Sequence, residues 1–316
     1  MIRLFLSVDV AGSTEFKTGL PPRRGTLWLD VFRDFFRNFP IMMIGQVGMG
    51  FLAEDSLPEV SVWKFMGDEV IFAAAPASPE EVTLLMRAHF NAMAAYEAEY
   101  LADLPLRLKG SAWLACFPAP NIEIEVPELA RGGGKTQTDF IGPDIDLGFR
   151  LGKFAWPATV TVSLDLLDVV LNAGNRDLMD FFLVGREPLK GVLFGRPYPA
   201  IWARPAGAAA GFMPWEIEDS PLVARAVAEG PATAGSLRMV IDGVRLYLRK
   251  MHGAASEPIR FEAAPVATDA KLTTATLDLP HPARKHAGSR RHAARRGRGS
   301  SHGGGARIGD PGDRQL

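Results

Sequence analysis

Asp9 and Asp68 are the residues of this chain best placed to do chemistry. Asp9 closes the apolar run Leu4-Phe5-Leu6-Ser7-Val8, and Asp68 follows Val62-Trp63-Lys64-Phe65-Met66-Gly67. Each stands where a strand gives way to a turn, which lifts a carboxylate to the sheet edge. Carboxylates from two adjacent strands form a hard oxygen donor set for Mg²⁺ or Mn²⁺ against the phosphates of a nucleotide. Gly12-Ser13-Thr14 follows Asp9 directly. Small residues there let backbone N–H groups approach phosphate oxygens at a helix start. Taken singly, either aspartate is ordinary turn chemistry. Their joint occurrence in the same setting makes nucleotide chemistry the first expectation.

The elements that must hold them follow from patterning. Ile2–Val10 reads as a strand and Thr26–Phe39 as an amphipathic helix. Glu59–Lys64 and Glu69–Ala74 form a hairpin around Met66-Gly67-Asp68. Pro79–Leu101 is a long helix, with Ser78 as N-cap and Pro79 as its first helical residue. Strands are expected over Leu106–Phe117, Ile122–Val126 and Thr159–Val162, with two more between Phe181 and Trp202. Gly142–Phe154 and Leu164–Leu171 read as helices, and Arg131–Thr138 as a Gly-rich mobile loop. Hairpins among the alternating elements argue against a doubly wound parallel sheet and favour a mixed α+β sheet with helices on its faces.

Pro205–Gly211 is a linker to a region with two expected helices, the second over Leu237–Met251. From about Ala267 the sequence turns to Arg, His, Gly and Ser, a disordered composition. His281–Leu316 carries nine of the 35 Lys and Arg and two of the 36 Asp and Glu. The rest therefore holds 26 basic against 34 acidic residues, a net −8 that makes a poor general nucleic-acid binder. No apolar run reaches the roughly 20 residues of a membrane span. The single cysteine, Cys116, fits a reducing cytoplasm. Arg131-Gly132-Gly133-Gly134-Lys135-Thr136 lacks the upstream glycine and leading strand of a P-loop.

Three ordered segments carry a specific likeness: Phe5–Thr14, Lys64-Phe65-Met66-Gly67-Asp68-Glu69, and Asp139–Leu151. They resemble the signature segments of class III nucleotidyl cyclase catalytic domains, with a fourth, weaker match at Pro188-Leu189-Lys190-Gly191. The resemblance covers residues 1–204 and implies a ferredoxin-like, mostly antiparallel sheet. A small helical appendage over 212–264 and a basic tail over 267–316 would follow it.

By position, the resemblance assigns Asp9, Asp68 and the carbonyl of Val10 to two Mn²⁺ or Mg²⁺ ions. Ala11, Gly12, Ser13 and Thr14 would cradle the triphosphate, and Lys64 and Asp139 would read the base. Arg150 would stabilise charge on the transferred phosphoryl group. Asp146 falls where the family has a ribose-orienting asparagine, a departure that adds negative charge. Lys190 stands for a phosphate lysine that falls two residues later in the family, at Val192 here. In that family the metal aspartates come from one protomer and the base-reading and arginine groups from the other, so one copy of each implies a homodimer with two shared sites. The lack of a membrane-length apolar run and the acidic balance argue against stable membrane or nucleic-acid partners.

Lys64 and Asp139, a donor and an acceptor, match adenine and cytosine and leave uracil and guanine open. Lys109–Ala115, Pro118–Ile124, Asp139–Arg150 and Trp215–Glu262 further resemble the pyrimidine cyclases of Pycsar antiphage defence. That likeness implies UTP as first substrate and CTP as second, with the cyclic product acting on a separately encoded effector. An adenylate cyclase and a degenerate nucleotide-binding module are the competing readings.

Overall fold

The frame of the site is a β-α-β-β-α-β unit, which we describe from a computed structural model covering residues 1–18, 28–126, 137–208, 211–253 and 257–261. Its parts are β1 (Ile2–Ala11), α1 (Ser13–Thr18), α2 (Trp28–Gly50), β2 (Val60–Met66), β3 (Glu69–Ala74), α3 (Pro79–Tyr96) and β4 (Arg107–Cys116). The four strands stand in the order β2-β3-β1-β4, all neighbours antiparallel. That is the ferredoxin-like arrangement that the resemblance implied.

A ribbon of β5 (Ile122–Val126) and β6 (Gln137–Ile141) follows, then α4 (Pro143–Leu151), β7 (Val160–Val162) and α5 (Leu164–Asn172). β8 (Met179–Glu187) and β9 (Tyr198–Pro205) complete a seven-stranded sheet of order β2-β3-β1-β4-β7-β9-β8. Among the described residues only β4 and β7 pair in parallel. The sheet is thus mixed and mostly antiparallel, as its hairpin signals required. Met1–Ala264 is one compact unit.

Alternation along β1 sorts the two faces. Leu4, Leu6 and Val8 are fully buried on the side that carries α2 and α3, where Phe39 packs on Phe72 with ring centroids 6.0 Å apart. Phe5, Ser7 and Asp9 face the other way, and Phe5 stacks on Trp113 of β4 at 5.2 Å. This second face receives α4 and the β5–β6 ribbon. No helix among the described residues is long and apolar enough to cross a membrane.

Several elements differ from their sequence expectation. α2 runs eleven residues past Phe39, straight through Pro40. Burial of Phe35, Phe39, Met43 and Val47 at a spacing of four outweighs the missing N–H. α3 starts on Ser78, whose Oγ accepts from Glu81 N–H at 3.1 Å, and its last turn widens to a π-turn over Glu97–Leu101. β6 starts at Gln137, inside the segment read as the Arg131–Thr138 loop, because pairing with β5 makes Gln137–Ile141 a strand. The C-terminal region holds three helices rather than two: α6 (Pro214–Asp219), α7 (Pro221–Glu229) and α8 (Ala234–His252). Ser220-Pro221 divides the first two, with Ser220 capping α7. Val223, Ala226, Leu237 and Ile241 from these helices join the common core. Residues 131–136 of the expected loop and the expected tail over 267–316 lie outside the described residues.

His89 ties α3 to the sheet. Its ring is fully buried, and Nε2 lies 3.1 Å from the carbonyl of Ser7. Burial pushes its pKa down to about 4 from 6.5, against the Ser7 contact. Between those values the unfolded chain binds a proton that the folded chain refuses. Stability is therefore complete above pH 6.5 and falls as the pH drops towards 4, by roughly 3 kcal/mol in full. Urea midpoints of wild type and His89→Gln should draw together from pH 7.5 to pH 4.5. Profiles that stay parallel would refute this account.

Candidate active site

Strand pairing brings the acidic groups together. On one rung, Asp9 of β1 faces Glu69 of β3 on one side and Lys109 of β4 on the other. Direct cross-strand partners share a face, so all three side chains meet on the side opposite α2 and α3. Asp68, in the turn before Glu69, lies close enough to Asp9 for the two carboxylates to repel. Burial raises the Asp9 pKa, Lys109 opposes that rise, and Asp68 adds to it. Glu69 is likewise raised by burial, eased by a hydrogen bond from the Ser7 hydroxyl.

Each expected metal aspartate carries one ammonium partner. Lys109 Nζ is 3.2 Å from Asp9 Oδ2 and Lys17 Nζ is 3.7 Å from Asp68 Oδ2. Lys17 also sits 4.4 Å over the Phe32 ring, which steadies its charge against α2. Gly12 makes the turn after β1 with φ +83°, and the Phe16 N–H bonds back to its carbonyl at 3.0 Å. A Cβ at Gly12 would sit 2.9 Å from the Pro105 carbonyl oxygen. Ala11, Gly12, Ser13 and Thr14 thus lead from β1 into α1 beside the acidic rung.

Lys64 and Asp139 meet directly. Nζ is 2.7 Å from Oδ1 and 3.0 Å from Oδ2, and both side chains remain about a third exposed. A register shift between Val62 and Lys64 places Trp63 beside its neighbour, and Trp63 Nε1–H donates to Asp139 Oδ1 at 3.0 Å. Burial pushes the Asp139 pKa up, but the bonds from Lys64, the Phe140 N–H and Trp63 together hold it below the usual range. Among the described residues no hydrogen bond or ion pair links this pair to Asp9 or Asp68. One chain therefore carries two separate clusters on one face.

Arg150 and Asp146 project from α4, a helix pinned twice. At its start Gly142 has φ +153°, and a Cβ there would lie 2.2 Å from Asn121 Oδ1. Asn121 in turn donates to Asp144 Oδ2 at 2.6 Å and accepts from the Asp144 N–H at 3.1 Å. Midway, Gly148 rests on the Trp113 indole. The Arg150 guanidinium donates to the Asp146 carbonyl at 2.5 Å and lies 3.8 Å from its carboxylate. Lys190 is exposed in the β8–β9 connection. Strand directions put that connection at the end of the sheet away from Asp9, so Lys190 does not approach the acidic rung of its own chain.

No group of three or more His, Cys, Asp or Glu among the described residues has the geometry of a self-sufficient metal site. Two carboxylates and the neighbouring Val10 carbonyl nonetheless suit a hard divalent ion completed by water and substrate phosphates, the usual habit of Mg²⁺. Glu69, Lys109, Lys17 and Trp63 were not singled out by the sequence reading. Glu69 adjoins Asp68 in sequence and could have been noticed; the two lysines and Trp63 depend on strand register and packing.

No family model matches the sequence, and no curated protein does. Solved structures similar to this chain include the adenylyl cyclase CyaB from P. aeruginosa, at 14% identity and TM-score 0.46, covering 67% of this chain and 97% of that one. The guanylate cyclase domain of RhGC from Catenaria anguillulae in complex with GTP is similar at 7% identity and TM-score 0.46, over 65% and 97% of the two chains. Adenylate cyclases from Trypanosoma brucei in their monomeric state are similar at 14% identity and TM-score 0.44, over 66% and 89%.

Proposed function

We propose that this protein is a nucleotidyl cyclase that converts a pyrimidine nucleoside triphosphate to its 3′,5′-cyclic monophosphate and pyrophosphate. UTP is the favoured substrate and CTP the second. The observation that carries the cyclase reading is the convergence of Asp9 and Asp68 at one sheet end. It is supported by the Lys64–Asp139 pair and by Arg150 on the same face. The choice of a pyrimidine rests on the resemblance of Lys109–Ala115, Pro118–Ile124, Asp139–Arg150 and Trp215–Glu262 to pyrimidine cyclases. In this reading Asp9, Asp68 and the Val10 carbonyl hold two Mn²⁺ or Mg²⁺ ions. Bound there, the ions supply a lowered O3′ pKa and charge neutralisation at the β- and γ-phosphates.

The chain's own groups do the rest. The N–H groups of Ala11–Thr14 bind the triphosphate, and Lys64 with Asp139 orients the base. Asp146 positions the ribose by accepting a hydroxyl hydrogen bond. Arg150 swings from its own helix to the α-phosphoryl oxygens as O3′ displaces pyrophosphate. Lys64, Asp139 and Arg150 act in a site whose aspartates belong to a second copy of the chain, so the unit is a homodimer. The exposed apolar residues Ile122, Ile141 and Phe149 beside the base pair suit such contact. Lys190 reaches the phosphates of the partner's site. The cyclic product serves as a messenger for a separate effector in cytoplasmic antiphage defence.

A regulatory, non-catalytic reading draws on one observation. Asp146 stands where an asparagine is expected, and its backbone and carboxylate hold Arg150 back. Incubation with ATP, GTP, CTP and UTP plus Mn²⁺, with products identified by mass spectrometry, separates the cases. Dominant cUMP or cCMP is expected. Dominant cAMP would overturn the pyrimidine assignment in favour of an adenylate cyclase, and no cyclic product from any nucleotide would favour the regulatory module.

A further inference from the structure

We infer that Lys109 is an internal counter-cation of the acidic rung, displaced when a divalent ion binds and then turned towards the substrate's phosphates. This rests on the reading above only in taking Asp9 as a metal ligand. The charges on the rung are specific. Asp68 has Lys17 as its partner and Glu69 takes the Ser7 hydroxyl, so Lys109 is the cation that answers Asp9.

The geometry makes Lys109 a competitor rather than a bystander. Its Nζ lies 3.2 Å from Asp9 Oδ2, and its charge also reaches Glu69. The two side chains leave adjacent strands at the same register position. They are 26% and 30% exposed, so the pair is neither sealed in the core nor freely hydrated. A divalent ion on the Asp9 carboxylate would stand within a few ångströms of the ammonium, and like charges at that separation repel strongly outside bulk water. Binding of the ion therefore includes expulsion of Lys109 from Asp9.

The expelled ammonium has a place to go. Arg107, two residues before it, pairs with Ala11 at the start of the phosphate turn. The four-carbon lysine stem can therefore swing towards that turn without moving the strand. Lys109 would bring a positive charge to that turn from the same chain as Asp9.

Loss of the free Mn²⁺ electron paramagnetic resonance signal measures metal binding without nucleotide or turnover. Lys109→Met, which keeps an unbranched stem and removes the charge, should bind Mn²⁺ about tenfold or more tightly than wild type. Lys109→Gln should behave alike and serves if the Met variant does not fold. Asp9→Asn should lose the binding in either background. Unchanged or weaker Mn²⁺ affinity in a folded neutral variant, or no Mn²⁺ binding by wild type and variant alike, would overturn the counter-cation. For the second role, a neutral variant should raise KM for UTP about tenfold with little change in kcat; an unchanged KM would overturn it. A gain in Mn²⁺ affinity without any cyclic product would refute the cyclase reading alone. Product formation with unmoved Mn²⁺ affinity would refute the counter-cation alone.

Discussion

Asp9→Ala and Arg150→Ala, each reduced by about 10³-fold or more on its own, should regain about one quarter of wild-type activity when mixed and allowed to exchange subunits. On the proposed reading, the single losses follow from removing a metal ligand or the cation that would meet charge on the transferred phosphoryl group, each on the order of 10³ in rate. The recovery follows from symmetry. Random exchange makes about half of the dimers mixed, and each mixed dimer holds one fully intact site of its two. The aspartate cluster and the Lys64–Asp139 pair share a face of one chain without contact, which is what two half-sites require. Asp9→Ala mixed with Asp68→Ala is the control, because both lesions fall in the same half and no intact site can form. Failure of the first mixture, with both variants folded and dimeric, would sink the shared-site arrangement.

Gly148→Ala is expected to cost both stability and rate. A Cβ at Gly148 would lie 2.1 Å from Trp113 Cε2, well inside contact distance. The indole has no room to retreat. It is buried, stacked on Phe5 with planes 10° apart, and flanked by Phe149 at 6.0 Å. Relief must come from a shift of α4, and overpacking of this kind typically costs about 1–3 kcal/mol. In a unit of this size that lowers Tm by roughly 2–4 °C per kcal/mol. Arg150 is two residues further along the same helix, and a displacement near 1 Å can lower turnover about 10²-fold. Adding Trp113→Phe, which opens space beneath the new methyl, should recover part of the loss, so the two changes are not additive. Gly148→Ala with wild-type Tm would mean that α4 is not seated as described.

How much of this was legible beforehand differs from element to element. β1, the β2–β3 hairpin and the Ser78 cap were readable because period-two alternation, a Gly-Asp turn and a serine before proline are local signals. α2 was cut short at Pro40, since the burial that carries the helix through proline comes from α3 and the sheet. β6 was missed because Gln137-Thr138-Asp139 has no apolar alternation, and only its pairing with β5 makes it a strand. The C-terminal helices were counted as two because the Ser220-Pro221 break between α6 and α7 is short.

The candidate site divides the same way. Asp9 and Asp68 were legible from their own strand-end settings, whereas Lys64, Asp139 and Arg150 were named only through the resemblance of their segments to class III cyclases. The sequence of hairpin and helix signals also determined a mixed α+β sheet, the resemblance added its ferredoxin-like connection, and composition determined the acidic balance of the residues before His281. Tertiary structure alone decided that Lys109 stands opposite Asp9, that Glu69 joins the rung, and that Trp63 shares Asp139 with Lys64. Those neighbours come from strands up to a hundred residues apart in sequence. Register between such strands is set by which faces bury apolar side chains, so no local pattern around Lys109 could have marked it as the cation that answers Asp9.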